Sequence, residues 1–204
     1  MTTQFTRLEA IAIPYEPINV DTDQIVPARF LKYSRADGYG KFLFHDLRFA
    51  DDGSENPDFI LNREPYRRAQ ILVGNINFAC GSSREGAVYA LADYGIRAVI
   101  APSFSDIFFN NCLKNGVVPA RLPADVCAKL RGRLVAHPGT TLAVDLETQL
   151  VHDPDGATHP FVIDEFFRGM MLKGVDEVGL TRTLLPDIEA FERNYAQGAP
   201  WIAA

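Results

Sequence analysis

Residues 70–122 read QILVGNINFACGSSREGAVYALADYGIRAVIAPSFSDIFFNNCLKNGVVPARL. Short apolar runs of this kind are typical of buried strands, and three of them occur here: 70–74, 97–102 and 117–122. The two stretches between them have the apolar spacing of helices, and each ends on a glycine: 82–95 and 103–116. An alternation of strand and helix predicts a parallel sheet with crossover helices, which is an α/β fold.

Outside residues 70–122 the sequence predicts one further strand, an antiparallel hairpin and two helices. Residues 5–13 alternate loosely and predict a strand, and a DPDG turn predicts an antiparallel hairpin in 149–163. The periodicity of 164–174 and 186–195 predicts two helices, so we expect one domain over 1–204 with a helical C-terminal extension. Residues 31–68 show no regular pattern, and we expect a long loop that is mobile without a partner.

Composition excludes several classes of protein. The chain has 204 residues, 47% hydrophobic and 23% charged, as globular proteins do. Its net charge of −6 disfavours binding to nucleic acid. No apolar run is long enough for a membrane span and no secretion signal is recognisable, so we expect a cytoplasmic location. The three cysteines, Cys80, Cys112 and Cys127, form no CxxC pair, so we expect neither a disulfide framework nor a metal site in this chain.

The sequence GSSRE at 81–85 has two interpretations. Ser82 and Glu85 have the spacing of a capping box, which by itself accounts for both residues. The start of a helix is also an anion site, because its first N–H groups are free. Ser83 adds a hydroxyl and Arg84 a planar guanidinium suited to a carboxylate, while Gly81 lets the backbone approach a ligand closely. The expected ligand is a small carboxylate or phosphate.

Other catalytic motifs do not match. No lysine follows the glycines as a P-loop requires, and no G-x-G-x-x-G follows the strand at 70–74. A hydrolase elbow would need glycine where Glu85 stands. None of the four histidines lies in a context that suggests a catalytic triad: His45, His137, His152 and His159.

Three motifs carry a resemblance to a known family. They are NVDTDQIVPARFL (19–31), GSSRE (81–85) and DYGIRAVIAPSFSDIFFNNCLKNGVVP (93–119). Together they resemble the small subunits of isopropylmalate isomerases, and they are similar to the swivelling C-terminal domain of aconitases. The resemblance covers about 5–195. It implies a three-layer β/β/α domain with a mostly parallel core sheet, in which the hairpin belongs to the second β layer.

The resemblance also implies an activity. Such a chain is part of a heterodimeric or heterotetrameric hydro-lyase of leucine biosynthesis, which interconverts 2-isopropylmalate and 3-isopropylmalate through isopropylmaleate. The large subunit carries a [4Fe–4S] cluster, and the small subunit binds no cofactor and closes over the small dicarboxylate substrate. No nucleic acid or membrane is implied as a partner.

Site residues follow from the aligned motifs. Ser82 aligns with the serine that acts as general base, and Ser83 and Arg84 align with substrate-binding positions, Arg84 taking a carboxylate. Arg35 matches a second carboxylate-binding arginine in a loop of variable length; a solvated surface arginine is the other interpretation. For the DTD motif at 21–23 we expect an interface or loop-pinning role.

One departure from the family sequence is clear. The family usually reads GSSREHAPWAL where this chain reads GSSREGAVYAL, so Gly86, Val88 and Tyr89 replace His, Pro and Trp. The change leaves two alternatives open. One is a sister hydratase for a citramalate- or dimethylmalate-like substrate, with specificity determined in 31–48. The other is a non-catalytic carboxylate-binding module.

Overall fold

A computed structural model describes residues 4–81, 84–199 and 201. Within these residues the strands form a single sheet in the order β4-β3-β2-β1-β5-β6-β7. Their bounds are β1 (Arg7–Pro14), β2 (Ile71–Val73), β3 (Ala98–Ala101), β4 (Val118–Arg121), β5 (Thr141–Asp145), β6 (Leu150–His152) and β7 (Thr158–Pro160). Every strand predicted from the sequence is present, and the α/β class is confirmed.

Strand β1 belongs to both halves of the sheet. Its residues 12–14 pair in parallel with β2, and β3 and β4 continue the parallel half. Its residues 7–11 pair antiparallel with β5, and the β6–β7 hairpin extends that half. The turn of the hairpin is closed by Asp153, whose Oδ1 accepts from the backbone N–H of Ala157 at 2.8 Å. The parallel core and the hairpin are therefore as predicted.

Helices cover the sheet and extend beyond it. Their bounds are α1 (Thr22–Ile25), α2 (His45–Arg48), α3 (Gly86–Tyr94), α4 (Asp106–Lys114), α5 (Ala124–Ala136), α6 (Glu165–Lys173), α7 (Glu177–Thr183) and α8 (Leu185–Gly198). The predicted helices correspond to α3, α4, α6 and α8. Helices α1, α2, α5 and α7 were not predicted: three of them are only four to seven residues long, and in α5 basic residues and a central glycine obscure a narrow apolar face. In the described residues no helix is long and apolar enough to cross a bilayer.

The two faces of the parallel strands support two separate cores. Successive strand residues point to opposite faces, so Leu72 contributes to the core beneath α3, and Ile71 and Val73 contribute to the other core. The second core also contains Val144 of β5 and Val151 of β6. The antiparallel half therefore shares this second core with the parallel half, to which β1 joins it in one sheet.

The segment at 31–68 is more regular than predicted. It contains α2 and short 3₁₀ turns, at Arg35–Asp37, Tyr39–Phe42, Ile60–Asn62 and Tyr66–Arg68. Phe42, Leu43 and Phe44 are buried in the first core. Apolar side chains, rather than repeated backbone pairing, attach this segment to the sheet. Its mobility without a partner and the single-domain assignment for 1–204 both remain predictions.

Candidate carboxylate-binding site

The loop after β2 lies directly against the DTD motif. The Cys80 N–H donates to the Val20 carbonyl at 2.9 Å, and the Thr22 N–H donates to the Cys80 carbonyl at 3.0 Å. Gly81 has φ +92°, and a Cβ there would lie only 2.6 Å from Oδ2 of Asp21. The close approach at Gly81 is therefore an approach to Asp21, and a side chain at position 81 would require the Asp21 carboxylate to shift.

Ser82 and Ser83, the predicted general base and one predicted ligand, lie outside the described residues. The helix that follows begins at Gly86 rather than at residue 82, so the predicted start is wrong. Glu85 occupies the N-cap position without a side-chain capping bond, and its Oε1 accepts from Nδ2 of Asn115 at 2.8 Å. Among the described residues, the Glu85 side chain therefore contacts Asn115, the residue that follows α4. The helix ends at Gly95 with φ +113°, as predicted.

Arg84 lies two residues before α3, and its side chain contacts the DTD motif. Its Nη1 donates to Oδ1 of Asp23, and this hydrogen bond raises the pKa of the guanidinium. The Arg84 side chain is 27% exposed and that of Asp23 is 51% exposed. A guanidinium in this position can donate hydrogen bonds to a carboxylate, and it remains within reach of solvent.

Asp21 fixes the loop that carries Asp23. Its side chain accepts from the Asp23 N–H, and its own N–H donates to Oε1 of Gln24 at 3.2 Å, so the two residues form a capping box for α1. Thr22 is buried. The DTD motif thus pins its loop, and Asp23 is presented to Arg84 from a defined helical turn.

Arg35 is tethered to α3. Its Nη2 and Nε donate to Oδ1 of Asp93 at 2.9 and 3.1 Å, and its Nη1 donates to Oδ1 of Asn115 at 3.0 Å. The guanidinium carbon lies 4.4 Å from the centre of the Tyr89 ring. The Arg35 side chain is 41% exposed, so it is a surface arginine whose guanidinium is held by these contacts. Its role in substrate binding remains a prediction.

Asn115 connects the two predicted arginines. Its amide oxygen accepts from Arg35, and its amide nitrogen donates to Glu85, the neighbour of Arg84. Asn115 thus links Arg35, which is held at Tyr89 and at Asp93 in the last turn of α3, to the residue that follows Arg84. Asp93 and Asn115 lie in the motif 93–119, but the sequence assigned no role to either residue, because their contacts join distant segments.

The cysteines do not form a metal site. The described residues contain no group of three or more His, Cys, Asp or Glu side chains that could hold a metal ion. Cys112 and Cys127 are buried, and burial raises the pKa of both thiols, that of Cys127 to about 11. Both therefore stay protonated near neutral pH, which makes them poor ligands and poor nucleophiles.

Two curated relatives match almost the whole chain. A 3-isopropylmalate dehydratase small subunit of Brucella canis is 48% identical over 198 residues, covering 97% of this chain and 98% of the relative. One of Granulibacter bethesdensis is 52% identical over 198 residues, covering 97% and 95%. The chain belongs to the 3-isopropylmalate dehydratase small-subunit family.

Family models and a solved structure agree with this membership of the small-subunit family. The aconitase C-terminal domain family matches residues 2–125, and a LeuD family, described as LeuD_N, matches residues 128–165. The crystal structure of a 3-isopropylmalate dehydratase (leuD) from Methanocaldococcus jannaschii superposes with a TM-score of 0.65 at 24% identity, covering 90% of this chain and 99% of that chain. At this identity the likeness concerns the fold.

Proposed function

We propose that this chain is the small subunit of a heteromeric hydro-lyase that interconverts 2-isopropylmalate and 3-isopropylmalate in leucine biosynthesis. The names of the relatives support the reaction, since they are 48% and 52% identical over 97% of the chain. A cytoplasmic location is part of the same proposal, and cell fractionation tests it.

The observation that carries the proposal is the pairing of Arg84 with Asp23. This pairing places a carboxylate against the guanidinium immediately before α3. Since the pair is partly open to solvent, a substrate carboxylate can take the place of Asp23 on Arg84. A surface ion pair of this kind is worth only about 0.2–1 kcal/mol, so the exchange costs little.

Each remaining residue has a role within the proposal. Ser82 takes a proton from one substrate carbon as the hydroxyl leaves the adjacent carbon, which gives the alkene; rehydration places the hydroxyl on the other carbon. A serine hydroxyl is a weak base, so nearby N–H groups must stabilise its anion. Ser83 binds the substrate with Arg84. Arg35 binds the second carboxylate, for which it must release Asp93 or Asn115.

The proposal includes a large subunit that carries a [4Fe–4S] cluster. The described residues of this chain provide no ligand set for such a cluster, so the proposal assigns all of its ligands to the partner. When bound there, the cluster supplies a Lewis acid for the hydroxyl and carboxylate of the substrate. This chain supplies the serine and arginine side chains, and forms a heterodimer or heterotetramer with the partner.

The test is an anaerobic assay that follows the absorbance of isopropylmaleate. Three samples are compared: the chain alone, its cluster-loaded large subunit alone, and the mixture. We expect activity only in the mixture. A mixture that assembles by gel filtration but has no activity on isopropylmalate contradicts the proposal. Activity on citramalate or dimethylmalate in that mixture indicates a sister hydratase, and carboxylate binding without any rate gain indicates a binding module.

A further inference from the structure

The first residue of α3, Gly86, lies beneath two side chains of the segment that carries Arg35. A Cβ built on Gly86 would lie 3.0 Å from Cδ2 of Leu31 and 3.2 Å from Cε1 of Tyr39. Both distances are shorter than the 3.5–4.0 Å that is typical of carbon atoms in contact. We refer to these three residues as the Gly86 contact. Leu31 and Tyr39 occupy space that any side chain at position 86 would need.

Tyr39 is firmly held in this position. Its side chain is 4% exposed, and its ring packs edge-on against Tyr89 at a centroid distance of 5.9 Å. Its hydroxyl donates to the Phe30 carbonyl at 3.3 Å, and its backbone N–H donates to Oδ2 of Asp93 at 3.3 Å. Tyr39 therefore cannot move away from Gly86 without breaking bonds at both ends of the segment.

Arg35 lies between the two side chains of the Gly86 contact in sequence and is held by the same helix. Leu31 meets α3 at residue 86, Arg35 meets it at Tyr89 and Asp93, and Tyr39 meets it at all three positions. A side chain at 86 requires these neighbours to give by a few tenths of an ångström, and the part of that shift that reaches the backbone of the segment also moves Arg35. Because Arg84 is only two residues from Gly86, the spacing between the two arginines depends on this contact.

We propose that Gly86 is a positioning residue: the absence of a side chain there seats the segment 30–42 on α3 and sets the position of Arg35 relative to Arg84. The inference rests on the proposed function, because the two arginines act as a pair only if they bind a dicarboxylate. Gly86 itself contacts no substrate.

The test uses Gly86→Ala in the complex with the large subunit. The new Cβ requires its neighbours to give by a few tenths of an ångström; since a misplacement of about 1 Å can cost about 100-fold in rate, we expect about a fivefold rise in KM with kcat changed less than about twofold. In a Leu31→Ala background the contact with Leu31 is absent but that with Tyr39 remains, and we expect Gly86→Ala to raise KM by a smaller factor than in the wild-type background, since contacting residues are coupled.

Gly132→Ala is the matched control. Gly132 lies inside α5, and a Cβ there meets no atom within 4 Å. The Gly132→Ala variant also replaces a helical glycine by alanine, but away from the site, and we expect its KM to equal that of wild type. Equal KM for Gly86→Ala and wild type overturns the proposal, as does a rise in KM of the same size in both the wild-type and Leu31→Ala backgrounds.

Hydrogen–deuterium exchange of the isolated chain separates this inference from the proposed function. We expect Gly86→Ala to speed exchange at the Tyr39 and Gly38 amides, whose bonds run to Asp93 and to the Arg35 carbonyl. Gly132→Ala should leave both amides as in wild type. Unchanged exchange in Gly86→Ala overturns the seating of the segment, whereas an inactive wild-type mixture contradicts the proposed function alone.

Discussion

Replacement of Asn115 by aspartate would test the link between the two arginines most directly. In the native chain Nδ2 of Asn115 donates to Oε1 of Glu85 at 2.8 Å and to the Asn111 carbonyl at 2.9 Å. Asn115→Asp keeps the shape of the side chain but places an oxygen where this nitrogen lies. Two hydrogen bonds are lost, and two carboxylates face one another.

The charges largely cancel. Two unit charges 2.8 Å apart repel by about 6 kcal/mol at an effective dielectric constant of about 20. Attraction between the new carboxylate and Arg35, at 3.0 Å, offsets almost all of this. What remains is the cost of losing the two hydrogen bonds, about 0.5–1.5 kcal/mol each. We therefore expect Asn115→Asp to lower the free energy of unfolding by about 2 kcal/mol, which is about 4–8 °C in Tm for a domain of this size.

Urea unfolding of the isolated chain at neutral pH measures this change. Glu85→Gln is the matched second substitution. In this single variant the glutamine side-chain oxygen still accepts from Asn115, so the free energy of unfolding should fall by less than about 1 kcal/mol. In the double variant the glutamine amide donates to the new carboxylate, so stability should return to within about 1 kcal/mol of wild type. The reasoning is refuted if Asn115→Asp costs less than about 0.5 kcal/mol, or if Glu85→Gln fails to restore stability.

Three further predictions follow from other contacts. Arg84→Lys loses the planar guanidinium and should raise KM about tenfold in the assembled enzyme; an unchanged KM in steady-state assays would argue against carboxylate binding there. Burial raises the pKa of Tyr15 from 10.0 to about 12. The neutral phenol therefore stabilises the fold fully below pH 10, and this contribution is lost as the pH rises from 10 to 12. Tyr15→Phe should abolish about 2–3 kcal/mol of that alkaline loss, measured by urea unfolding at increasing pH. Arg131 is 5% exposed and donates to the Gly74 carbonyl at 2.7 Å. Arg131→Met should lower the free energy of unfolding by about 1–3 kcal/mol in urea titrations; no loss would mean that water replaces the bond.

Local pattern was sufficient for the strands and for four of the eight helices in the described residues. The strands at 71–73 and 98–101, and residues 118–120 of β4, are continuous apolar runs that are fully buried, and that composition is typical of a covered parallel sheet. Helix α5 lacked so clear a pattern, because Arg131 is a buried residue of its apolar side. A prediction rule that places charged residues on the protein surface cannot recognise a buried arginine that donates to a carbonyl far away in the sequence.

The sequence by itself determined the fold class, the hairpin and the motif containing Arg84, because each depends on residues close together in the chain. The tertiary structure decided where α3 begins, that Asp23 pairs with Arg84, and that Arg35 is held by Asp93 and Asn115. These contacts join positions 58 to 80 residues apart for Arg35 and 61 residues apart for Arg84. Hydrogen bonds over such separations depend on how β1, α3 and α4 pack, and no local sequence pattern encodes that packing.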